Sequence, residues 1–167
     1  MSSLHLELDD SPVLAYLITF RTYGTWLHGD KRGSVDRFHN VPGTPYLAPN
    51  KSREKYTRSQ MKRPPVRLNF KQRRVVEQAI KETCSTRKWI QWATNARTNH
   101  VHTVVTADCT SKEARAILKA AATKKMREQR CWHSNRSPWA DKGSRRRVRT
   151  HKQLMAAIDY VLYDQGI

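Results

Sequence analysis

The chain has 167 residues, enough for one domain with a real core. Its 32 Lys and Arg against 14 acidic residues give a formal charge of +18. A charge that large repels itself and calls for a polyanionic partner, nucleic acid first and an anionic membrane surface second. Three cysteines with no CxxC pair exclude a disulfide framework, no apolar run approaches the ~18 residues of a membrane span, and the N-terminus lacks the pattern of a signal peptide. These features lead us to expect a soluble, cytoplasmic protein without a membrane partner.

Residues 15–23, AYLITFRTY, are rich in β-branched and aromatic side chains and read as a strand, with Tyr16, Ile18 and Phe20 on one face and Thr19 and Arg21 on the other. From Gly24 to Leu68, Gly, Pro and Asn interrupt every periodicity, which predicts a long irregular basic loop over about 24–68 with a short helix at most. Asn69 and Gln72 have the spacing of a capping box. Phe70, Val75, Val76, Ala79 and Ile80 follow at helical spacing, in a helix ending near Cys84. Residues 89–96 and 99–106 read as the two strands of an antiparallel hairpin.

Thr110 and Glu113 form a second capping box, opening a helix whose stripe is Ala114, Ile117, Leu118, Ala121 and Ala122 and which runs to about Gln129. A turn at DKG leads to a basic strand, RRRVRT. Thr150 and Gln153 form a third capping box, with Leu154, Ile158, Val161 and Leu162 as the stripe and Gly166 at the C-cap position. The order β-α-β-β-α-β-α predicts an α+β fold: a largely antiparallel sheet with helices packed on it, compatible with a ferredoxin-like (RRM-like) core in a single domain, 1–167.

The chemistry concentrates in two places. His100 and His102 alternate with Val101 in a strand, so both imidazoles project from one face, about 7 Å apart along the chain. Two neutral imidazoles on one face can converge on a metal ion, although the spacing alone also fits two histidines that merely face solvent. On the last helix Tyr160 and Asp164 stand one turn apart, off the apolar stripe, while Tyr163 falls on a third face.

Taken together, His100–Val101–His102 and Tyr160 with Asp164 resemble the single-tyrosine HUH transposases, in particular the branch of REP-associated tyrosine transposases. That family's HUH motif matches the histidine triplet. Its catalytic tyrosine lies on a late helix, four residues before a polar metal ligand that is usually an amide. The resemblance extends to the opening strand and the order of elements, over about 15–24 and 69–166.

It implies a domain that nicks and rejoins single-stranded DNA, associated with a hairpin, through a 5′-phosphotyrosine. Tyr160 would be the nucleophile. Mg²⁺ or Mn²⁺ would be held by His100, His102 and Asp164, or by Gln165 in place of Asp164. The aspartate departs from the family's usual amide, but a carboxylate suits a hard divalent cation and helical geometry favours it over Gln165. A homodimer is compatible, with Tyr160 serving its own subunit's metal site or its partner's.

DNA would bind the basic surface. Between Lys112 and Lys152 stand 14 Lys and Arg against three acids. The candidate phosphate contacts are Arg21, Lys112, Arg115, Lys119, Arg145, Arg146, Arg147 and Arg149. Trp26, Trp132 and Trp139 are candidates for stacking on unpaired bases, with ordinary packing as the competing role. His28 and Asp30, beyond the first strand, read more readily as loop residues than as site residues, and Cys131 with His133 lacks the second ligand pair that zinc would need. Two other functional classes fit the sequence: a non-catalytic single-stranded nucleic-acid-binding module, and a metal-dependent nuclease that hydrolyses with water.

Overall fold

The structure, a computed structural model, describes residues 12–25 and 48–164. Strands β1 (Ala15–Arg21), β2 (Ile90–Ala96), β3 (His100–Thr106) and β4 (Ser144–Val148) form one antiparallel sheet in the order β2-β3-β1-β4. Helices α1 (Lys51–Ser59), α2 (Phe70–Arg87), α3 (Ser111–Glu128) and α4 (His151–Tyr163) complete the described elements. The molecule is thus α+β with an antiparallel sheet. The expected order gains α1, a nine-residue helix inside the stretch read as a loop with a short helix at most. Among the described residues no helix is long and apolar enough to cross a membrane.

All three expected capping boxes form: Asn69 with Gln72, Thr110 with Glu113, and Thr150 with Gln153, each pair satisfying two of the amides that a helix start leaves without intrahelical partners. Helix α2 runs past Cys84 to Arg87. It stops where Lys88 turns left-handed (φ 58) and returns its N–H to the Cys84 and Ser85 carbonyls. The non-glycine αL cap is unusual and carries no sequence signal, so the helix runs one turn beyond the expected end.

The sheet has two unequal sides. On one, α2 and α3 bury Ile18, Phe20, Val101 and Val105 against Val76, Ile80, Leu118 and Met126, all fully buried. On the other, α4 packs Leu154, Ala157 and Val161 over Ala15, Ala93, Val104 and Val148. Two expected stripes need correction. Phe70 is 69% exposed at the first turn of α2 and takes no part in the core. In α4 the buried positions step i, i+3, i+7 through Ala157, so Leu162 is rotated out to 44% exposure.

The β4 edge is set by a close approach. Gly143 lies at φ +139 directly against β1, and a Cβ there would collide with the Thr19 carbonyl oxygen and lie 3.2 Å from Phe20 Cα. Trp139, just before it, packs edge-on to Phe20 (centroids 4.8 Å apart, planes at 88°). Its indole N–H donates to the Lys119 carbonyl (3.1 Å) and to Thr123 Oγ1 (3.0 Å). Buried to 5% exposure, Trp139 is core, which overturns its reading as a base-stacking residue.

Gly143→Ala should therefore combine backbone strain with a steric clash. We expect a loss of roughly 2–4 kcal/mol of unfolding free energy, read from the midpoint of urea denaturation at unchanged slope. A stability within 0.5 kcal/mol of wild type would show that the approach is not as tight as described.

Candidate active site

The cross-strand register decides what shares a face. Thr19 of β1 pairs with His102 and Arg21 with His100. Asn95 of β2 pairs with His102 from the other side, and Thr19 pairs with Ser144 of β4. Residues directly opposite in an antiparallel pair lie on the same face. Val101 enters the α2–α3 core, so Thr19, Arg21, Asn95, His100, His102 and Ser144 all belong to the α4 side. They occupy the part of that face lying beyond the apolar patch under α4.

The two imidazoles lie edge to face, with centroids 4.7 Å apart and planes at 77°. The Tyr160 ring stands 5.4 Å from His102 at 80°, so the three rings form one cluster. Each histidine is oriented through Nδ1: His102 Nδ1 pairs with Thr19 Oγ1 at 2.7 Å, and His100 Nδ1 with Asn99 Oδ1 at 2.7 Å. A ring that carries its proton on Nδ1 and donates it to such a partner presents its Nε2 lone pair to a ligand, the arrangement found around metal-binding histidines.

His102 is only 7% exposed. Burial, reinforced by the neighbouring His100, pushes its pKa down to about 4, so the ring is neutral at pH 7, the form a metal requires. Tyr160, by contrast, is 41% exposed. Its helix is fastened to the sheet beside it, because Asn95 Nδ2 donates to the Val161 carbonyl at 3.0 Å.

Asp164 stands apart from this cluster. It is the C-cap of α4, with φ −96 and ψ 12, and its N–H returns to the Tyr160 carbonyl at 3.2 Å. Among the described residues no three His, Cys, Asp or Glu side chains come together as a ligand set. The expected convergence of Asp164 on the histidine pair is therefore not assembled in this structure. The i, i+4 face requires helical geometry through 164, and α4 ends at Tyr163. Gln165, Gly166, Trp26, His28 and Asp30 lie outside the described residues.

The basic residues divide by face. Arg146 pairs with Leu17 on the α4 side, while Arg145 and Arg147 pair with Ile18 and Tyr16 on the α2–α3 side. Arg145 accordingly reaches Ser111 Oγ at 3.4 Å. Arg21 is half-buried on the histidine face, Lys112 is exposed at the start of α3, and Arg149 is half-buried just beyond β4.

Arg115 and Lys119 serve the fold. Arg115 donates to the Gly143 carbonyl (2.8 Å), and Lys119 Nζ to those of Ala140 (2.8 Å) and Lys142 (2.6 Å). Burial, with Arg115 adjacent, lowers the Lys119 pKa to about 8. Trp132 is half-buried against the core, its N–H donating to the Arg136 carbonyl. Cys131 belongs to no group of three or more potential metal ligands among the described residues. Sequence reading missed Asn95 and Asn99 as supports of the cluster. It placed Thr19 on the correct face but had no register with which to seat it opposite His102.

No known family model matches this chain, and no curated protein matches it. Among solved structures, one of a REP-associated tyrosine transposase bound to a REP hairpin superposes with a TM-score of 0.51 at 13% identity, covering 96% of this chain and 70% of that one. At that identity the likeness is one of fold, a distant structural relationship.

The buried neutral His102 makes an acid-linked prediction. Its folded-state pKa lies below that of an unfolded histidine, ~6.5. The unfolded chain therefore binds more protons between the two values, and stability must fall as pH drops from 6.5 towards 4, by up to about 3 kcal/mol. Urea unfolding across that range should show this slope, and His102→Asn should flatten it. A slope unchanged in His102→Asn would assign it to other groups.

Proposed function

We propose that this chain is a transposase-like enzyme that nicks and rejoins single-stranded DNA, with Tyr160 as nucleophile and His100 and His102 as ligands of a divalent cation, Mg²⁺ or Mn²⁺. The observation that carries this reading is the ring cluster. Two histidines, each oriented through Nδ1, meet a half-exposed tyrosine on the polar part of a sheet face in a strongly basic chain. The fold likeness to a hairpin-bound tyrosine transposase supports it. So does the strand order β2-β3-β1-β4 with α2 and α3 on one side, which we read as a ferredoxin-like core.

The donor set fits such a cation in part. A neutral His102 and a His100 oriented by Asn99 would supply two nitrogens, with the third ligand coming from Asp164 or Gln165 at the end of α4. When bound, the cation neutralises charge on the scissile phosphate. The chain's own residues do the rest. Asn95 fixes the backbone of α4 beside Tyr160, and Arg21 and Arg146 add positive charge on the same face for the phosphodiester backbone. Tyr160 Oη would lose its proton and form a bond to phosphorus while the bond from phosphorus to the 3′ oxygen breaks, leaving a 5′-phosphotyrosine and a 3′-hydroxyl. Attack by a 3′-hydroxyl on that linkage reverses the step and rejoins the strand without external energy.

The test is to incubate the protein and labelled single-stranded DNA carrying a hairpin with Mg²⁺ or Mn²⁺, then resolve the products under denaturing conditions. A covalent protein–DNA adduct is expected. It should vanish in Tyr160→Phe and fall by about 100-fold or more in His100→Ala and His102→Ala, beyond the ~10–100-fold cost of losing a residue that merely supports a metal ligand. Cleavage that persists without adduct in Tyr160→Phe would indicate attack by water. Binding without cleavage would indicate a nucleic-acid-binding module.

A further inference from the structure

Helix α4 crosses its side of the sheet obliquely. It starts just beyond β4, where Val148 pairs with Ala15, and finishes over β2, where Asn95 Nδ2 reaches the Val161 carbonyl. A helix laid on that diagonal leaves two corners of the face uncovered. One is the polar corner with Thr19, Arg21 and the two histidines. The other lies at the opposite end of the sheet, where β2 starts and β3 ends, and it is apolar.

The register places its residues. Ile90 pairs with Thr106, two positions beyond Val104, which lies under α4, so Ile90 and Thr106 share the α4 side. Trp92 sits in the register shift between Gln91 and Ala93, and its indole N–H donates to Thr106 Oγ1 at 2.9 Å. That contact holds the ring beside Thr106. At about 100° per residue, Met155, Ile158 and Leu162 fall on one flank of α4 and Tyr160 on the other. Tyr160 meets His102, so the Met155–Ile158–Leu162 flank faces away from the histidines, towards the apolar corner. Ile90, Trp92, Met155 and Leu162 are exposed, and Ile158 is half-buried. A cluster of exposed large apolar side chains, lying at the edge strand of a sheet, marks a surface that something covers.

The chain itself supplies an occupant. Thr106 Oγ1, which accepts from the Trp92 indole, donates to the Leu14 carbonyl at 2.6 Å. The chain thus enters β1 at this corner, and residues 1–11, which lie outside the described residues, are tethered beside it. Leu4, Leu6 and Leu8 alternate, so an extended segment would present three leucines on one side. The five residues 9–13 reach up to about 17 Å, more than three strand spacings of ~4.8 Å. Charge agrees with this placement. Residues 1–11 carry three acids, Glu7, Asp9 and Asp10, and no Lys or Arg, in a chain of net charge +18. Lys88, just before β2, and Lys152, in the first turn of α4, are both exposed at this end.

We propose that residues 4–8 dock on this corner in extended form, packing Leu4, Leu6 and Leu8 on Ile90, Trp92 and the Met155–Leu162 flank of α4. The inference does not rest on the function proposed for the ring cluster. A segment so placed braces α4 from the flank opposite Tyr160.

The test is methyl NMR on the full chain, labelled at Ile, Leu and Met, with the leucine signals assigned through L4A, L6A and L8A. Cross-relaxation is expected between the Leu6 and Leu8 methyls and those of Ile90, Met155 and Ile158, unchanged on dilution. Amide hydrogen exchange over residues 4–8 should be slower by about tenfold or more than in a free peptide of residues 1–11. L6D/L8D should abolish that protection and move the Ile90 and Met155 methyl signals. The signals of Ile18 and Ile80, buried on the other side of the sheet, should stay in place and report an intact fold.

Exchange at the free-peptide rate, with no contact between the leucines and this corner, overturns the proposal. Contacts from the leucines to any other surface overturn it too, as do Ile90 and Met155 signals that ignore L6D/L8D. Contacts that disappear on dilution assign the corner to a second copy of the chain and overturn docking of the chain's own segment.

Discussion

Coverage of the sheet is the constraint from which the site follows. A four-stranded sheet presents two faces, and each must be covered or made polar. Two 18-residue helices cover one face. On the other, α4 is 13 residues, about 20 Å of helix, and it seals only the patch around Ala15, Ala93, Val104 and Val148. The strands continue beyond that patch, and their side chains there turn polar: Thr19 and Arg21 on β1, His100 and His102 on β3, Asn95 on β2. A sheet margin made this way is half-dry, with His102 7% exposed beneath a more exposed Tyr160. Each imidazole is held by a neighbour's oxygen, while the tyrosine at the helix's edge is 41% exposed.

The same geometry explains why the basic surplus is not uniform. Alternation along β4 sends Arg146 to the site's face and Arg145 and Arg147 to the other. Arg115 and Lys119 donate hydrogen bonds to loop carbonyls, that of Gly143 among them. Their cost is visible in the depressed pKa of Lys119, whose cation is partly desolvated. A net charge of +18 is therefore divided between architecture, the histidine face and the exposed surface.

What could be read from the sequence was whatever is encoded locally. Capping boxes need only four consecutive residues, and all three formed. Alternation needs only the strand itself, so the shared face of His100 and His102 and the inward Val101 were legible. The failures share another cause. Trp139 is buried because Phe20, more than a hundred residues earlier, offers it an edge. Phe70 is exposed because the first turn of α2 lies outside the core. Thr19 meets His102 through a register that no single strand contains. Leu162 was assigned to the stripe because Ala157 was not counted, an alanine being large enough where α4 approaches the sheet closely.

The end of α4 separates two jobs that the sequence had joined. Tyr160 and Val161 sit where Asn95 fastens the backbone to β2, so the phenol is held against His102 by the sheet itself. Asp164 has already left helical geometry, and its amide returns to the Tyr160 carbonyl. A fastened residue and a released one, four positions apart, can be tuned independently: the position of the Tyr160 phenol depends on β2, whereas Asp164 is not held by that contact. The ring cluster is therefore complete without Asp164: among the described residues no third His, Cys, Asp or Glu side chain joins its two histidines.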